Sequence, residues 1–321
     1  MNPKACCYNG RTSVGKRWFH LNPGVSIVIP TVDNKQTLLE CLSSVKALRY
    51  PKHDLEVIVW DNGSKDGTLE AVREYFAKHY QDGWRALKAY GSERNTGASQ
   101  GRNNAFRMIS PQSKYIMCLD DDVVVSPESL AILVEDMDQD PGAGIVGARI
   151  VYYDAPDKTA SGAGFINWWV GKLSERDTHM LTECDYVITC GCLIRKEVLE
   201  RIGGFDPDYF VYHEDVDFCV RAQRNGFKVL YEPRAIVKHK LARGKRRTNQ
   251  ALYYLFRNKL LLIKKNAPFL QRRISLCLYG TLWLLKVILD SIIFHRGVDW
   301  AEISIILKAV LDGLMNRTGN L

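Results

Sequence analysis

Three consecutive carboxylates, Asp120-Asp121-Asp122, close the apolar run Tyr115-Ile116-Met117-Cys118-Leu119. A short apolar run rich in β-compatible side chains is the pattern of a buried strand. Carboxylates crowded at its mouth repel one another and resist desolvation. A divalent cation relieves both costs, and hard ions such as Mg²⁺ or Mn²⁺ favour carboxylate oxygens. Taken alone, the triplet reads more readily as an acidic turn before a helix, because Ser126-Pro127 makes a good N-cap and first helical residue. A second cluster, Glu214-Asp215, stands where a helix is expected to begin. The helix dipole favours negative charge there, which is reason enough for both residues. A carboxylate held ionised at a helix start also suits a general base, and spacing does not choose between the two roles. His239 ends the run Ala235-Ile236-Val237-Lys238. It is either a hydrogen-bonded strand-end histidine or, beside an acidic site, an imidazole that completes a Mn²⁺ shell.

The surrounding pattern says what must carry these groups. Val25–Pro30 and Leu55–Trp60 are strand-like, and a helical stripe follows the first through Leu38, Leu39, Leu42, Val45 and Leu48. The dense turn signature Asp61-Asn62-Gly63-Ser64-Lys65-Asp66-Gly67-Thr68 leads to a helix over 69–80 and a short strand near 86–90. The loop Asn95-Thr96-Gly97 leads to a helix over about 100–109, then to the strand that ends in the aspartates. Alternating strands and helices predict a mostly parallel sheet with right-handed crossovers. Such sheets bind ligands at the carboxyl ends of their strands, where Asp61, Asn95 and Asp120–Asp122 all fall. Further on, strands are expected at 145–152 and 187–194, a helix at 196–202, and strand segments at 229–233 and 235–239.

The chain of 321 residues allows one large α/β domain with an appended C-terminal region. Net charge is +8, but Pro233 to Leu289 holds fourteen Lys and Arg and no acidic residue, so the rest of the chain is mildly acidic. Phosphate groups or an anionic membrane surface are the partners this distribution suggests, while nucleic acid is a poorer fit because no recognition module accompanies the charge. Nine scattered cysteines without framework spacing fit reduced thiols. Residues 1–24 contain no apolar core of signal-peptide length and read as a loosely ordered extension.

Together the pieces resemble the family 2 glycosyltransferases of the GT-A fold. The resemblance rests on Val-Ser-Ile-Val-Ile-Pro-Thr (25–31), Asp-Asn-Gly-Ser-Lys-Asp-Gly-Thr (61–68), Asn-Thr-Gly (95–97) with Gly-Arg-Asn-Asn (101–104), Leu-Asp-Asp-Asp (119–122) and His-Glu-Asp-Val-Asp-Phe (213–218). The tail Leu311-Asp312-Gly313 with Arg317-Thr318-Gly319 looks like that of rhamnosyltransferase-type members. The resemblance implies a Rossmann-like catalytic domain over 25–240 and a basic, helical region over 241–321. It implies contacts to a nucleotide sugar, carrying UDP or dTDP, from Thr31, Asp33, Asp61, Asn95, Gly97, Arg102, Asp120, Asp121 and Gly191. Asp122, Asp120 and His239 would hold Mg²⁺ or Mn²⁺, with Asp121 in the variable middle position of the Asp-X-Asp motif. Asp215, paired with Glu214, matches the catalytic base. Trp168, Trp169 and His213 are candidates for the acceptor, although paired tryptophans are as often core packing.

The expected reaction is inverting transfer of a sugar to a glycan or lipid-linked hydroxyl in cell-surface polysaccharide synthesis. Ile274–Phe294 approaches bilayer-spanning length, but Lys286 and Asp290 would each cost about 2.5–3.5 kcal/mol at depth. A helix at the cytoplasmic membrane interface, or one packed on protein, including a second copy of the chain, is therefore expected. Two alternatives differ in class. A sugar-nucleotide nucleotidyltransferase would need a glycine-rich basic loop after the first strand, where Pro30-Thr31-Val32-Asp33 stands. A non-catalytic sugar-nucleotide or glycan-binding protein would have no need of Asp122 and Asp215.

Overall fold

The computed structural model describes residues 22–241, 248–279 and 300–320. The expected N-terminal extension up to residue 21, the basic run 243–247 and most of 274–294 lie outside the described residues. In chain order the first half contains β1 (Gly24–Thr31), α1 (Lys35–Lys46), β2 (Leu55–Asp61), α2 (Thr68–His79), β3 (Ala86–Gly91), α3 (Gly97–Phe106), β4 (Ser113–Leu119), β5 (Val123–Val125) and α4 (Ser129–Gln139). Then come β6 (Ala143–Tyr152), β7 (Ala155–Ser161), β8 (Ala163–Asn167), β9 (Lys172–Arg176), β10 (Thr182–Glu183), β11 (Gly191–Arg195), α5 (Lys196–Ile202), α6 (Glu214–Arg224) and β12 (Lys228–His239). The C-terminal helices are α7 (Asn249–Asn266), α8 (Phe269–Leu278) and α9 (Trp300–Leu314).

One curled sheet organises the molecule, in the order β10-β12-β6-β11-β4-β1-β2-β3. β3, β2, β1 and β4 are parallel, and antiparallel β11 joins them to the parallel pair β6 and β12. The run Val25–Ile29 is continuous and apolar because both faces of β1 are covered: Ile27 and Ile29 enter one core with α1 and α4, and Val28 enters the other with α6. β8 and β9 form a separate hairpin. A third apolar cluster joins α7 to α9, and Phe210 and Val211 pack against it.

The structure corrects several boundaries. The helix expected at 100–109 starts at Gly97, whose φ of +86° lets the chain turn directly into α3. Strand structure begins only at Gly191 rather than at Val187: Val187 packs in the core, and Ile188, Thr189 and Cys190 line a cleft. The two expected segments at 229–239 are one strand, with a register shift between Glu232 and Ile236. Ser126-Pro127 does not cap a helix immediately after the aspartates. β5 intervenes, and α4 follows Glu128.

Candidate active site

β5 decides where the aspartates point. It leaves the triplet and pairs antiparallel with the end of β12, placing Val123 opposite His239. Asp122 is thereby held to the next turn of chain, its carbonyl accepting Lys240 N–H at 3.0 Å. His239 Nε2 lies 3.0 Å from Asp122 Oδ1. One ligand atom each from Asp120, Asp122 and His239 falls within 4.8 Å of the others. Two carboxylates with one imidazole suit Mn²⁺ or Mg²⁺ in charge and donor type, so the residues present fit a divalent cation. The imidazole's other nitrogen, Nδ1, lies 3.7 Å from Cys190 Sγ, which fixes the ring. Burial opposes charge on His239, but the hydrogen bonds to Asp122 and Cys190 outweigh it and push its pKa up to about 11.

The second cluster is built differently. Tyr212 and His213 adopt left-handed backbone conformations, with φ of 69° and 68°, immediately before α6. Such conformations cost about 1–3 kcal/mol each and persist only when the surroundings enforce them. The enforcement comes from α7. Fully buried Asn258 donates from Nδ2 to the carbonyls of Val211 (2.7 Å) and Tyr212 (2.9 Å). Its neighbour Arg257, also fully buried, donates to the carbonyls of Asp208 (3.1 Å) and Gly319 (2.6 Å). Lys265 adds ion pairs to Asp206 and Asp208. Asp217 is structural: it accepts from Asn266 Nδ2 at 2.7 Å and Arg221 Nε at 2.7 Å. The result presents Glu214 and Asp215 on the first turn of α6. Burial, and for Asp215 the adjacent Glu214 charge, raise the pKa of both carboxyls, Asp215 to about 8.

Arg102 joins the two clusters. Its guanidinium, 4% exposed, pairs with Asp120 and, at 3.2 Å, with Glu214. Asp121 also finds an identity here. It accepts from Thr31 Oγ1 (2.6 Å) and Asn34 Nδ2 (2.8 Å), which ties the triplet to the end of β1. Burial raises its pKa to about 6 despite those donors.

Both clusters open into one cleft of about 1400 Å³. Of the residues expected at the site, Thr31, Asn95, Gly97, Arg102, Asp120–Asp122, His213, Glu214, Asp215 and His239 line it. Asp33, Asp61, Gly191, Trp168 and Trp169 are not among the lining residues. Asp61 accepts Ser64 N–H at 3.0 Å and shapes the turn after β2, while Asp33 receives Lys65 N–H at 2.6 Å across the adjacent loop. A Cβ on Gly191 would meet Ile150 and Val237 at 2.9 Å, so packing demands glycine there. Trp168 packs against the core and Trp169 is exposed. Gly97 abuts the loop before α6, where a Cβ would crowd the Phe210 carbonyl.

The sequence reading missed Asn62, Cys190, Tyr186, Tyr254 and Asn258. Asn62 had a signal, since it follows Asp61 in the turn motif, and it donates to the Gly97 carbonyl at 3.1 Å. The others sit outside any motif, and only the tertiary fold brings them in.

A curled, mostly parallel sheet with a carboxylate–imidazole cluster at its carboxyl edge is the GT-A architecture. The model of glycosyl transferase family 2 matches residues 26–203, more than half of the chain, and that of glycosyl transferase family group 2 matches 115–300. The chain belongs to glycosyl transferase family 2. It is 27% identical over 221 residues to poly-beta-1,6-N-acetyl-D-glucosamine synthase of Staphylococcus epidermidis, covering 66% of this chain and 49% of the relative. It is 25% identical over 209 residues to glycosyltransferase AglE of Haloferax volcanii, covering 65% and 64%. The chain thus spans about half the length of the synthase relatives it matches. In fold it is similar to the mannosyltransferase PcManGT from Pyrobaculum calidifontis in complex with GDP-Man and Mn²⁺, with a TM-score of 0.61 and 18% identity over 92% of this chain and 88% of that one. S. aureus TarS 1–349 in complex with UDP-GlcNAc aligns with a TM-score of 0.57 and 17% identity, over 91% and 81%.

Proposed function

We propose that this chain transfers a sugar from a nucleoside-diphosphate sugar, with UDP or dTDP as carrier, to a hydroxyl of a glycan or lipid-linked acceptor, with inversion at the anomeric carbon. The observation that carries this reading is that the Asp120–Asp122–His239 cluster and Asp215 face one cleft, with Arg102 pairing Asp120 of the first cluster to Glu214, the neighbour of Asp215. Asp120, Asp122 and His239 would hold Mg²⁺ or Mn²⁺, which when bound supplies positive charge against the leaving diphosphate. Arg102 fixes Asp120 and Glu214 relative to one another. Asp215 takes the acceptor hydroxyl's proton on the face opposite the leaving group, and its raised pKa suits that task near neutral pH.

The deoxyhexose specificity implied by the tail motif has a structural competitor. Asp312 accepts from Tyr253 Oη at 2.8 Å, and the Gly319 carbonyl receives Arg257, so the tail buttresses α7. Rhamnosyl transfer therefore enters only as one arm of a donor screen. Among the described residues no helix is long and apolar enough to cross a membrane. Exposed Phe269, Leu270 and Ile274 beside Arg272 and Arg273 on α8 support peripheral contact with the cytoplasmic membrane face.

A donor screen followed by nucleoside-diphosphate release tests the proposal. Release is expected for at least one UDP- or dTDP-sugar, lost with EDTA and restored by Mn²⁺ or Mg²⁺; turnover of a GDP-sugar alone contradicts the carrier assignment. Turnover that ignores EDTA contradicts the assigned cation.

A further inference from the structure

The C-terminal helix α7 builds one wall of the cleft, presenting Leu252, Leu255, Phe256 and Lys259 at helical spacing. Lys259 stands apart from every other basic residue of the molecule's interior. It is 9% exposed, and among the described residues no carboxylate, carbonyl or hydroxyl pairs with its ammonium. Arg102 and His239, also buried in the cleft, are committed, the first to Asp120 and Glu214 and the second to Asp122. A largely buried lysine without a countercharge is costly, and burial alone pushes the Lys259 pKa down to about 7, with its ammonium opening to the cleft. Its neighbours in the cleft are apolar or aromatic, Leu255, Phe256 and Tyr279.

Its place in the cleft separates it from the cation cluster, which sits on the carboxyl edge of the sheet. The β8–β9 hairpin lies against this helix: its Gly171 packs on Ile263, one turn along α7 from Lys259. Glu175 of the same hairpin acts electrostatically on Asp215. Asn258, next to Lys259 on α7, holds the turn that precedes Glu214 and Asp215, so Lys259 stands on the helix that supports the proposed base, the side we assign to the acceptor.

We propose that Lys259 is the docking point for an anionic group, a phosphate ester or a carboxylate, that the acceptor carries next to an apolar portion. The anion site stands on the lysine's geometry, and its attribution to the acceptor rests on the reading of the cleft as a glycosyltransferase site. An anion there gains a charge-assisted hydrogen bond in a low-dielectric wall and supplies the missing countercharge. The apolar surroundings favour an amphiphilic acceptor over a free sugar.

Calorimetry on the full chain tests this with three probes, octyl phosphate, octanoate and octanol, each with and without saturating UDP and Mn²⁺. One of the two anions is expected to bind at least about tenfold tighter than octanol. Which anion binds more tightly assigns phosphate or carboxylate. Lys259→Met should lose about tenfold or more of that affinity, and Lys259→Arg should keep it within about threefold. Removing an unpaired buried charge should leave melting unchanged or raised, so the Met variant remains a folded reporter. Equal anion affinity in the parent and Lys259→Met overturns the site. A tenfold loss of UDP–Mn²⁺ affinity in Lys259→Met overturns the acceptor assignment, because the lysine would then serve the donor. If UDP and Mn²⁺ bind none of the proteins while the anions still discriminate, the glycosyltransferase reading fails and the anion site stands.

Discussion

The two ends of the sheet treat buried carboxylates in opposite ways. At the amino end of β2, Glu56 is fully buried and fully provided for: Ser26 Oγ donates at 2.5 Å, Ser110 N–H at 2.7 Å, and Lys88 lies at 2.9 Å. Burial works against its charge, but the hydrogen bonds from Ser110, Ser26 and Lys88 outweigh it and hold its pKa at about 2. At the carboxyl end, burial raises Asp121, Glu214 and Asp215, and the Glu214 carboxylate keeps one oxygen, Oε2, without a hydrogen-bond partner. The same interior that completes one carboxylate leaves the others short of positive charge. On the proposed reading, the carboxylates at the cleft are left for a ligand, a cation or a proton in transit to complete, whereas Glu56 is completed by the fold.

That contrast predicts variants that separate function from stability. The largest effect should come from Asp122→Ala, which removes a cation ligand. Metal-dependent nucleoside-diphosphate release should fall by about 10²–10³-fold while urea stability falls by no more than about 2 kcal/mol, because relief of repulsion within the acidic cluster offsets part of the lost pair with His239. A large loss of stability would place Asp122 with Glu56 instead.

Asn258→Leu reaches the site through the loop alone. It deprives the carbonyls of Val211 and Tyr212 of their donor, so the left-handed turn before Glu214 loses its support. Turnover should drop about tenfold to a hundredfold with nucleotide and Mn²⁺ affinity preserved. Loss of both together would show that the two clusters are not separately built.

The third effect is one of pH. A base whose folded pKa is raised to about 8 is protonated below it, so kcat/KM should rise with pH, by about tenfold per unit well below that value. A profile flat between pH 6 and 8 would remove Asp215 from the rate equation.

Glu56→Gln should have the smallest effect on activity and a large one on stability. Its lowered pKa contributes stability that is present above the unfolded carboxylate range and lost as pH falls through about 2. Replacing it should cost about 3 kcal/mol in urea unfolding, with turnover of the folded protein unchanged. Stability at neutral pH equal to the parent's would mean that the Ser110, Ser26 and Lys88 contacts do not stabilise the fold.

The sequence is legible to different depths in the two halves of the site. Asp120 and Asp122 could be placed because they end a buried strand, and strand ends in a parallel sheet share one edge. His239 was placed for the same reason, although its meeting with Asp122 depends on β5, three residues that no periodicity reveals. The catalytic loop was readable only as a motif. What makes it work, the left-handed turn at Tyr212 and His213 and its tether to Asn258, links positions 46 and 47 residues apart along the chain. Asp33 and Asp61 stand beside the cleft without lining it, and motif membership alone does not say which way a side chain faces. Asp121 remained open in the sequence because Thr31 and Asn34, which hold it, belong to a different strand end.

The central claim is that Asp215 acts on the acceptor's proton while the cation cluster holds the donor. It is tested most directly by Asp215→Asn, with donor turnover and UDP–Mn²⁺ affinity measured on the same preparation. The account predicts a loss of about 10²–10⁴-fold in nucleoside-diphosphate release, with nucleotide affinity within about threefold of the parent. Turnover at the parent's rate would contradict it.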